Sequence, residues 1–382
     1  MTTYAFENIA IVSTEKKKPV EEDKFNYIGL EHLSPDTFEV VDYGSEVAPK
    51  GDKLVMKKGD VLFGKRRAYQ KKVGIAPCDG IFSAHGMVLR PNTEVVDARF
   101  FPFFIKSDCF LDEAIRVSVG SLSPTVNWRD LKVLEFDLPS LEKQAELAEI
   151  LWAAEDLKTK YRNLLVSNDD LVKSRFIEMF GDPRFQKEGL TRLGEHIDLI
   201  NGFAFKGENF CDEGVPVIKI KNVNSADFGK TSLQFHPYDP SLDRFIVKPG
   251  ELLMSLTGTV GKDDFGRVCL ADETFSEYYL NQRNAKLQTH EELNPVYLLH
   301  LLRNEYIHEC VIKSGTGVRQ CHLHNNNLAD IAFLMPTIEK QSEFAAFAEQ
   351  VDKSGFALKQ AIVDLGSMMS ALLNEELGLG NV

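Results

Sequence analysis

The sequence predicts an α+β protein in which two mixed α/β domains are separated by two long helices that pair as an antiparallel coiled coil. Two observations carry this prediction. A helical stretch without Gly or Pro runs through the middle of the chain, and a second copy of its opening stands near the end. Short apolar runs separated by turn signals, which are typical of strands, occupy the two segments that remain. One helix is predicted within each of these segments, over 98–116 in the first and over 295–312 in the second.

The central helix is predicted over Leu138–Gly181. Its start is marked by Leu-Pro-Ser, because Ser140 is a favoured N-cap and acidic residues follow in the first turns. Gly181 and the Asp-Pro pair after it end the helix. About 40 helical residues extend for roughly 60 Å, and a helix of this length with one apolar stripe needs a partner helix.

The chain supplies that partner through an internal repeat. Leu-Pro-Ser-Leu-Glu-Lys-Gln at 138–144 returns as Met-Pro-Thr-Ile-Glu-Lys-Gln at 335–341, an offset of 197 residues. A seven-residue frame predicts which residues of the two copies face each other. These predicted coiled-coil residues are Leu147, Ile150, Leu157, Tyr161, Leu164 and Leu171 in the first helix, and Phe344, Phe347, Val351, Leu358, Leu365 and Leu372 in the second.

The repeat divides the chain into a first domain at 1–137, a central helix at 138–182, a second domain at 183–334 and a C-terminal helix at 335–382. A weaker match inside the domains, Lys57–Leu62 against Lys248–Leu253, supports a duplicated unit. The first domain starts almost at Met1, without the lead-in that Leu193–Ile197 gives the second, so a strand of the first domain is in question.

Composition and charge limit the function classes. Six Cys without a CxxC pair favour a reduced, cytoplasmic protein. We find no apolar run close to the ~20 residues of a membrane span and no secretory start. The net charge of −13, taken alone, argues against a nucleic-acid partner, which prefers a basic face.

Two stretches of the first domain nevertheless indicate DNA. Lys65–Lys72 holds five basic residues in eight, with a Tyr and a Gln among them. Lys and Arg contact phosphates, while Arg and Gln read base edges; the alternative is a solvated hairpin tip. Val119–Trp128 is a hydroxyl-rich loop that permits close approach to a phosphate, although by itself a plain loop is the simpler interpretation.

The second domain repeats this arrangement with different side chains. Thr257–Lys262 is a Gly-rich loop, Leu280–Asn284 is rich in amides, and Ser314–Gln320 occupies the place of the first domain's Gly-Ser loop. A strand predicted over Val215–Asn222 carries Lys219 and Lys221. Two such sets of loops at equivalent places in the two domains favour DNA binding over solvated surface loops, despite the negative total charge.

The search for a catalytic or metal site is negative. Asn294–Tyr297 is one residue from the Asn-Pro-Pro-Tyr motif of adenine methyltransferases, but a helix N-cap followed by Pro explains it and no Phe-x-Gly-x-Gly loop accompanies it. Gly258–Lys262 has the wrong spacing for a P-loop. Cys321–His324 lacks a second ligand pair for zinc. The sequence therefore predicts no catalytic residue and no metal.

The two helix copies, the first ending in Glu178–Gly181, resemble the helical regions of type I restriction–modification specificity (S) subunits. Arg66–Gln70, Ser83–His85 and Leu89–Pro91 add to the resemblance, which covers nearly the full length. The order domain, helix, domain, helix is also the order of that family.

The resemblance implies that each domain is a target recognition domain, that together they read a two-part asymmetric DNA site, and that the helix length sets the spacer. Two adenine methyltransferase (M) subunits would dock on the chain, and a translocating nuclease (R) subunit would complete a host-defence enzyme. The chain itself would be non-catalytic and without a cofactor, since S-adenosylmethionine would be held by the methyltransferase.

The predicted DNA-binding residues lie on the stretches described above, with His85 taken from the resemblance. They are Lys65, Arg66, Arg67, Tyr69, Gln70, Lys71, Lys72, His85, Ser121, Ser123, Thr125, Asn127, Lys219, Lys221, Thr257, Lys262, Asn281, Gln282, Arg283, Thr316, Arg319, Gln320 and His322. Two alternatives remain: a coiled-coil adaptor that binds proteins rather than DNA, and an enzyme that carries its own recognition domains.

Overall fold

A computed structural model describes residues 1–224, 228–230, 233–262, 264–318 and 320–378. Arg319, one of the predicted DNA-binding residues, lies outside the described residues. The chain forms two compact units. The first unit is Met1–Leu164 with Ala357–Val382, and the second unit is Leu165–Phe356.

The elements up to the central helix belong to the first unit, apart from the C-terminal half of that helix. The strands are β1 (Thr2–Ala5), β2 (Ala10–Ser13), β3 (Lys16–Lys17), β4 (Tyr27–Ile28), β5 (Lys53–Met56), β6 (Val61–Phe63), β7 (Val73–Ile75), β8 (Gly80–Phe82), β9 (Met87–Pro91) and β10 (Glu135–Leu138). The helices are α1 (Phe6–Ile9), α2 (Phe101–Lys106), α3 (Asp108–Arg116), α4 (Trp128–Leu131) and α5 (Leu141–Phe180).

The remaining elements build the second unit, apart from the C-terminal half of the last helix. The strands are β11 (Leu190–Arg192), β12 (Ile197–Asn201), β13 (Val215–Ile218), β14 (Gln234–His236), β15 (Ile246–Val247), β16 (Leu252–Ser255), β17 (Thr257–Thr259), β18 (Val268–Leu270), β19 (Tyr278–Leu280), β20 (Asn284–Thr289), β21 (Gln320–His322) and β22 (Ala332–Leu334). The helices are α6 (Ile220–Val223), α7 (Pro295–Arg303), α8 (Glu305–Ser314), α9 (Asn325–Ala329) and α10 (Ile338–Glu376).

The two units share one sheet topology, as the internal repeat predicts. The order β2-β9-β6-β7 in the first unit corresponds to β12-β20-β16-β18 in the second. The other sheet is β3-β5-β8-β4 in the first unit and β14-β13-β19-β15 in the second. Its parallel pair is β4 with β8 in the first unit and β13 with β19 in the second. The edge strands β3 and β14 lie on opposite sides of the three strands that the two sheets have in common, so the sheets differ at their edges.

The lead-in strand questioned in the first domain is present. β1 pairs antiparallel with β10, as β11 pairs with β22 in the second unit. This strand was not predicted because Thr2–Ala5 has few apolar residues to mark it. Directly after this strand, α1 buries Phe6 in an aromatic cluster. The ring of Phe6 lies 5.1 Å from that of Phe110 and 5.9 Å from that of Phe136.

Two single helices predicted over 98–116 and 295–312 are each broken into a pair. Ser107 separates α2 from α3, and its Oγ accepts a hydrogen bond from the Phe110 N–H at 3.3 Å. Asn304 separates α7 from α8, and its Oδ1 accepts from the Tyr306 N–H at 3.1 Å. Side-chain caps of this kind satisfy the free N–H groups of a new helix start. Neither break contains the Gly or Pro that would mark it in the sequence.

The long helices α5 and α10 contact each other in both units, and the pairing is antiparallel. In the first unit, Lys143 Nζ lies 3.1 Å from Glu376 Oε1, and Leu147 shares an apolar cluster with Leu373. In the second unit, the rings of Phe176 and Phe344 lie 5.4 Å apart. The prediction of two long helices that pair antiparallel is confirmed.

The seam of this pairing differs from the predicted frame. Of the predicted coiled-coil residues, Leu147 and Phe344 are buried. Tyr161, Phe347, Val351, Leu358, Leu365 and Leu372 are half-buried. The other four, Ile150, Leu157, Leu164 and Leu171, are 36–50% exposed. Leu151 and Val172, which directly follow Ile150 and Leu171, are buried instead. The shift arises because α5 also buries a face against its own domain, where Trp152 Nε1 donates to the Arg99 carbonyl at 2.9 Å.

One helix of the described chain, α10, is long and apolar enough to cross a membrane by length and composition. The expectation of no such stretch is therefore wrong. One helix of this kind is weak evidence for a membrane span, and α10 contributes Leu373 to the core of the first unit and Phe344 to that of the second.

Candidate nucleic-acid interface

Three separate stretches of the first domain meet on one surface. The Val126 N–H donates to the Lys65 carbonyl at 3.0 Å, and the Arg67 N–H donates to the Pro124 carbonyl at 2.7 Å. The Arg66 N–H donates to the His85 carbonyl at 3.1 Å. The basic stretch, the hydroxyl-rich loop and the turn at His85 are therefore neighbours. We call residues 65–72, 85 and 119–127 the first surface.

Two arginines at the centre of this surface keep their charge available. Arg66 Nη2 and Arg67 Nε lie 3.4 and 3.3 Å from Ser123 Oγ, long and weak hydrogen bonds. Among the described residues, neither guanidinium pairs with a carboxylate. An arginine without an acidic partner retains the donors that bind a phosphate or the edge of guanine.

The backbone of the basic stretch is strained in a way that displays its side chains. Arg67 and Lys71 adopt φ angles of +57° and +50°, the described non-glycine residues with positive φ. The left-handed conformation costs an L residue about 1–2 kcal/mol, and such strain is concentrated at functional sites. Between these two residues a tight turn buries Ala68 and leaves Tyr69 and Gln70 exposed.

Two of the predicted lysines already contact other residues of this chain. Lys71 Nζ lies 2.6 Å from Asp108 Oδ1, and Lys72 Nζ donates to the Leu30 carbonyl at 2.7 Å. Lys65 is half-buried, and its burial, with a smaller effect of Lys16, lowers the pKa of its amine. The charge offered by the first surface therefore rests chiefly on Arg66 and Arg67.

The remaining predicted residues of the first surface differ in accessibility. His85 and Ser121 are exposed. Asn127 is exposed and its Nδ2 donates to Asp130 Oδ2 at 3.4 Å. Thr125 is half-buried and its Oγ1 donates to the Ser123 carbonyl at 3.2 Å.

The second unit builds the equivalent surface from its own loops. β17 pairs antiparallel with β21, with Thr257 opposite His322, as Arg66 stands opposite Thr125 in the first unit. This pairing brings the Gly-rich loop and the Ser-Gly loop together. We call residues 257–262, 281–283 and 316–322, apart from 319, the second surface.

The amide-rich turn joins this surface. The Leu256 N–H donates to the Arg283 carbonyl at 2.8 Å, and the Gln282 N–H donates to the Phe203 carbonyl at 2.9 Å. Asn281 Oδ1 accepts from the Arg283 N–H at 3.4 Å and steadies the turn between β19 and β20. The side chains of Gln282 and Arg283 are exposed, and both types are suited to base edges.

A polar cavity of about 400 Å³ opens in the second unit. Two unpartnered atoms line it, Thr257 Oγ1 and Asn224 Oδ1, both buried without a hydrogen-bond partner among the described residues. Buried polar atoms are rarely left unsatisfied in folded proteins. Its lining residues are Ile220, Asn224, Thr257, Gly258, Thr259, Asp264, Arg283 and Gln320.

Sequence reasoning named three of these residues and missed Asn224 and Asp264. Asn224 Nδ2 donates to the Asp264 carbonyl at 2.7 Å, and Asp264 Oδ2 accepts from Thr259 Oγ1 at 2.8 Å. An Asn just beyond a predicted strand carries no signal of its own, because its role depends on a contact 40 residues away.

The strand predicted to carry Lys219 and Lys221 ends before them. β13 stops at Ile218, and α6 begins at Ile220 because Asn222 Oδ1 accepts from the Lys219 N–H at 2.8 Å. Lys219 donates to Gln234 Oε1 and lies 4.4 Å from the Phe210 ring. Burial, with a smaller effect of Lys221, lowers its pKa. Lys221 remains exposed on α6.

The histidines and the small loop residues of the second surface do not converge on a metal site. Cys321 is buried, while His322 on the same strand is exposed. His324 Nε2 lies 3.0 Å from Thr316 Oγ1. Lys262 and Gln320 are exposed. In the part of the chain that the structure describes, no group of three His, Cys, Asp or Glu side chains is placed to hold a metal ion.

Solved structures support the fold. A type I restriction–modification S subunit from M. genitalium is 13% identical, with 98% of this chain and 96% of that chain covered and a TM-score of 0.55. A structure concerned with complex assembly and conformational transition of the type I R-M system is 19% identical, with coverage of 98% and 97% and a TM-score of 0.53. At these identities, the likeness shows the fold alone.

Comparison with known sequences establishes the family of this chain. The type I restriction enzyme MjaVIII specificity subunit of Methanocaldococcus jannaschii is 25% identical over 314 residues, which are 77% of this chain and 69% of that protein. The EcoDI specificity subunit of Escherichia coli is 25% identical over 203 residues, 52% of this chain and 44% of that protein. The family model of the type I restriction modification DNA specificity domain matches twice, at residues 11–165 and 189–364. The chain therefore belongs to this family and is a DNA specificity subunit, the non-catalytic subunit of a type I restriction–modification enzyme.

Proposed function

We propose that each unit reads one half of a two-part, asymmetric DNA site and that the chain directs a partner adenine methyltransferase to that site. In this proposal residues 1–137 and 183–334 are the target recognition domains. Residues 138–182 and 335–382 carry the long helices to which partners dock.

The observation that carries the proposal is the equivalence of the two surfaces. In the first unit the loop 65–72, which follows β6, packs on the Gly-containing loop 119–125. In the second unit the loop 257–262, which follows β16, packs on the described residues of the Gly-containing loop 316–322, which exclude residue 319. The two Gly-containing loops are 197 residues apart in the sequence. The side chains differ, with arginines and serines on the first surface and amides, Arg283 and a histidine on the second. Two readers of one fold with different donors and acceptors recognise two different sequences.

The partners follow from the subunit class. We propose two methyltransferase subunits, each holding S-adenosylmethionine, and a restriction subunit that translocates DNA, all in the cytoplasm. The exposed row of Ile150, Leu157 and Leu164 on α5 supports a docked partner, because apolar side chains seven residues apart form one stripe of a helix. A partner that covers this stripe removes it from water.

The net charge of −13 is compatible with this role if the partners supply much of the phosphate neutralisation. A titration of duplex binding against salt, with the chain alone and with its methyltransferase, tests this point. We expect a shallow slope for the chain alone and a steeper one for the complex, because each neutralised phosphate adds to the slope.

The decisive experiment maps N6-methyladenine in cells that carry the chain and its methyltransferase, against cells that lack the chain alone. We expect a two-part motif that disappears with the chain. Replacing Arg66 and Arg67 by Ala should relax or abolish one half of the motif, and replacing Gln282 and Arg283 by Ala the other half. An unchanged methylome would favour an adaptor that binds proteins instead of DNA.

A further inference from the structure

Two loop tips expose a single apolar side chain each. Leu122 is 91% exposed and Val318 is 93% exposed, the highest values among the large apolar residues that the structure describes. Leu122 lies on the first surface and Val318 on the second. Neither residue was among the predicted DNA-binding residues, because an apolar residue in a polar loop carries no sequence signal of a DNA contact.

Both loops are closed at the base by the same pair of hydrogen bonds. Val119 and Thr125 exchange N–H to carbonyl bonds of 3.0 Å in each direction, and Thr316 and His322 do so at 2.9 and 2.8 Å. The residue after the first partner is a glycine with positive φ in both loops, Gly120 at +116° and Gly317 at +142°. These closures anchor both tips, and the exposure of the apolar side chains is built into the loop.

The glycine of the second loop cannot be replaced. A Cβ atom at Gly317 would lie 1.9 Å from the Gln320 carbonyl oxygen, a separation that side chains do not reach. The tight closure that displays Val318 therefore depends on this residue. A loop that tolerated a looser base would allow the valine to fold back onto the protein.

The surroundings of the two tips are polar. Leu122 stands between Ser121 and Ser123, and Ser123 Oγ receives the long hydrogen bonds from Arg66 and Arg67. Val318 precedes the exposed Gln320 on a surface that also offers Arg283. The other large apolar side chains exposed on the two surfaces, Tyr69, Val119 and Val260, are less accessible than the tips. Apolar groups dispersed among cations, amides and hydroxyls do not form the broad apolar patch of a protein-docking surface.

The major groove of DNA offers the matching chemistry. Its edges consist of donors and acceptors, with one protruding apolar group, the 5-methyl of thymine. The arginines and the amides beside the tips favour the same groove, because bidentate contacts to guanine and adenine are made there. Leucine is among the side chains that act as wedges between base steps from the minor groove, but valine is not. Because the two tips are equivalent in the two units, methyl contact accounts for both of them better than intercalation does.

We propose that Leu122 and Val318 are specificity-determining residues, each of which contacts the 5-methyl group of a thymine in the half-site that its unit reads. The inference rests on the proposed function and adds a base and an atom to it. It assigns an A·T pair to each half-site at the position under the loop tip.

The test uses the full chain with its methyltransferase and duplexes that carry the mapped site. Each thymine of the site is replaced in turn by deoxyuridine, which lacks only the methyl group. We expect one replacement in each half-site to weaken binding about fourfold, the factor that corresponds to the burial of one methyl group. Leu122→Ala should remove the sensitivity in one half-site alone and Val318→Ala in the other alone, so each variant is the control for its counterpart.

The outcomes separate this inference from the function on which it rests. A wild-type complex that binds its site but ignores every deoxyuridine overturns the inference, as does a half-site without a thymine for the unit that reads it. Variants that keep the wild-type pattern of sensitivity also overturn it. A wild-type complex that shows no preference for any duplex overturns the proposed function itself. Both side chains are almost fully exposed, and unchanged thermal unfolding of the variants verifies that the fold is intact.

Discussion

Gln144 and Gln341 make the same three hydrogen bonds, 197 residues apart in the chain. Gln144 Oε1 accepts from the Asp97 N–H at 2.8 Å, and its Nε2 donates to the Val95 and Pro139 carbonyls at 3.2 and 2.8 Å. Gln341 Oε1 accepts from the Asn294 N–H at 2.8 Å, and its Nε2 donates to the Glu292 and Pro336 carbonyls at 3.1 and 2.8 Å. Each amide fastens the start of a long helix to the segment that caps a domain helix.

Removing either amide should destabilise one unit. Gln144→Ala leaves a half-buried N–H and two carbonyls without these partners in the first unit, and we expect it to lower the free energy of unfolding by about 3 kcal/mol. Both tryptophans of the chain, Trp128 and Trp152, lie in the first unit, so their fluorescence during urea unfolding measures this loss. Gln341→Ala should leave that transition unchanged and increase amide exchange in α7.

Gln360→Ala is the matched control for this pair. Gln360 is exposed on α10, and its Nε2 donates to Asp364 Oδ1 at 2.9 Å. An exposed substitution of this kind should change stability by less than about 0.5 kcal/mol. A comparable loss for Gln144→Ala and Gln360→Ala would show that the buried amide has no special role.

Neighbouring residues on α5 should respond very differently to truncation. Leu151→Ala removes a fully buried side chain and should cost about 2–5 kcal/mol. Ile150→Ala removes one that is 50% exposed and should cost less than about 1 kcal/mol. Urea unfolding followed by tryptophan fluorescence compares them directly. Equal losses would mean that Ile150 contributes to the helix pairing as the seven-residue frame predicts.

Acid should weaken the second unit through His300. Burial, with a smaller effect of Arg303, lowers its pKa from 6.5 to about 4, and its Nε2 has no hydrogen-bond partner among the described residues. The unfolded chain therefore binds a proton between pH 6.5 and 4 while the folded unit does not. Stability present at pH 7 is lost as the pH falls through this window, by about 2 kcal/mol at pH 5.

His300→Phe should abolish this loss. Phenylalanine is the residue at the equivalent position of the first unit, Phe103, and His300 already contacts the ring of Phe344 at 5.2 Å. Amide exchange of α7 at pH 7 and pH 5 gives the measurement, with His300→Leu as a smaller second variant. If wild type and both variants lose protection equally at pH 5, another group is responsible.

The first surface predicts unequal roles for two of its cations. Arg67→Ala removes a guanidinium without an acidic partner and should reduce the slope of log K against log salt by about one. Lys71→Met removes an amine that already pairs with Asp108 and should leave the slope unchanged. Duplex binding at several salt concentrations distinguishes them. Equal reductions would mean that Lys71 leaves Asp108 for a phosphate.

The sequence predicted those parts of the fold that local chemistry determines. Ser140 caps α5, with its Oγ accepting from the Lys143 N–H at 3.3 Å, and Gly181 ends the helix with φ at +79°. The repeat then predicted the second helix. The breaks at Ser107 and Asn304 escaped prediction because polar residues of this kind also occur inside helices.

The loops that form the two surfaces could be predicted one by one from the sequence, but their contacts with one another could not. The basic loop and the hydroxyl-rich loop were identified separately, and only the fold shows that the Arg67 N–H meets the Pro124 carbonyl. Lys71 was named on the same local basis, and its pairing with Asp108, 37 residues away, has no signal in the sequence around it.

The division of the chain into units has a consequence for its synthesis on the ribosome. The second unit is contiguous and can close its core once Phe356 has emerged, whereas the first unit waits for Ala357 and the residues after it. Leu373 and Leu377 of that late segment belong to the first unit's core. Although domains usually fold in the order in which they are made, the nascent chain here completes the second unit before the first.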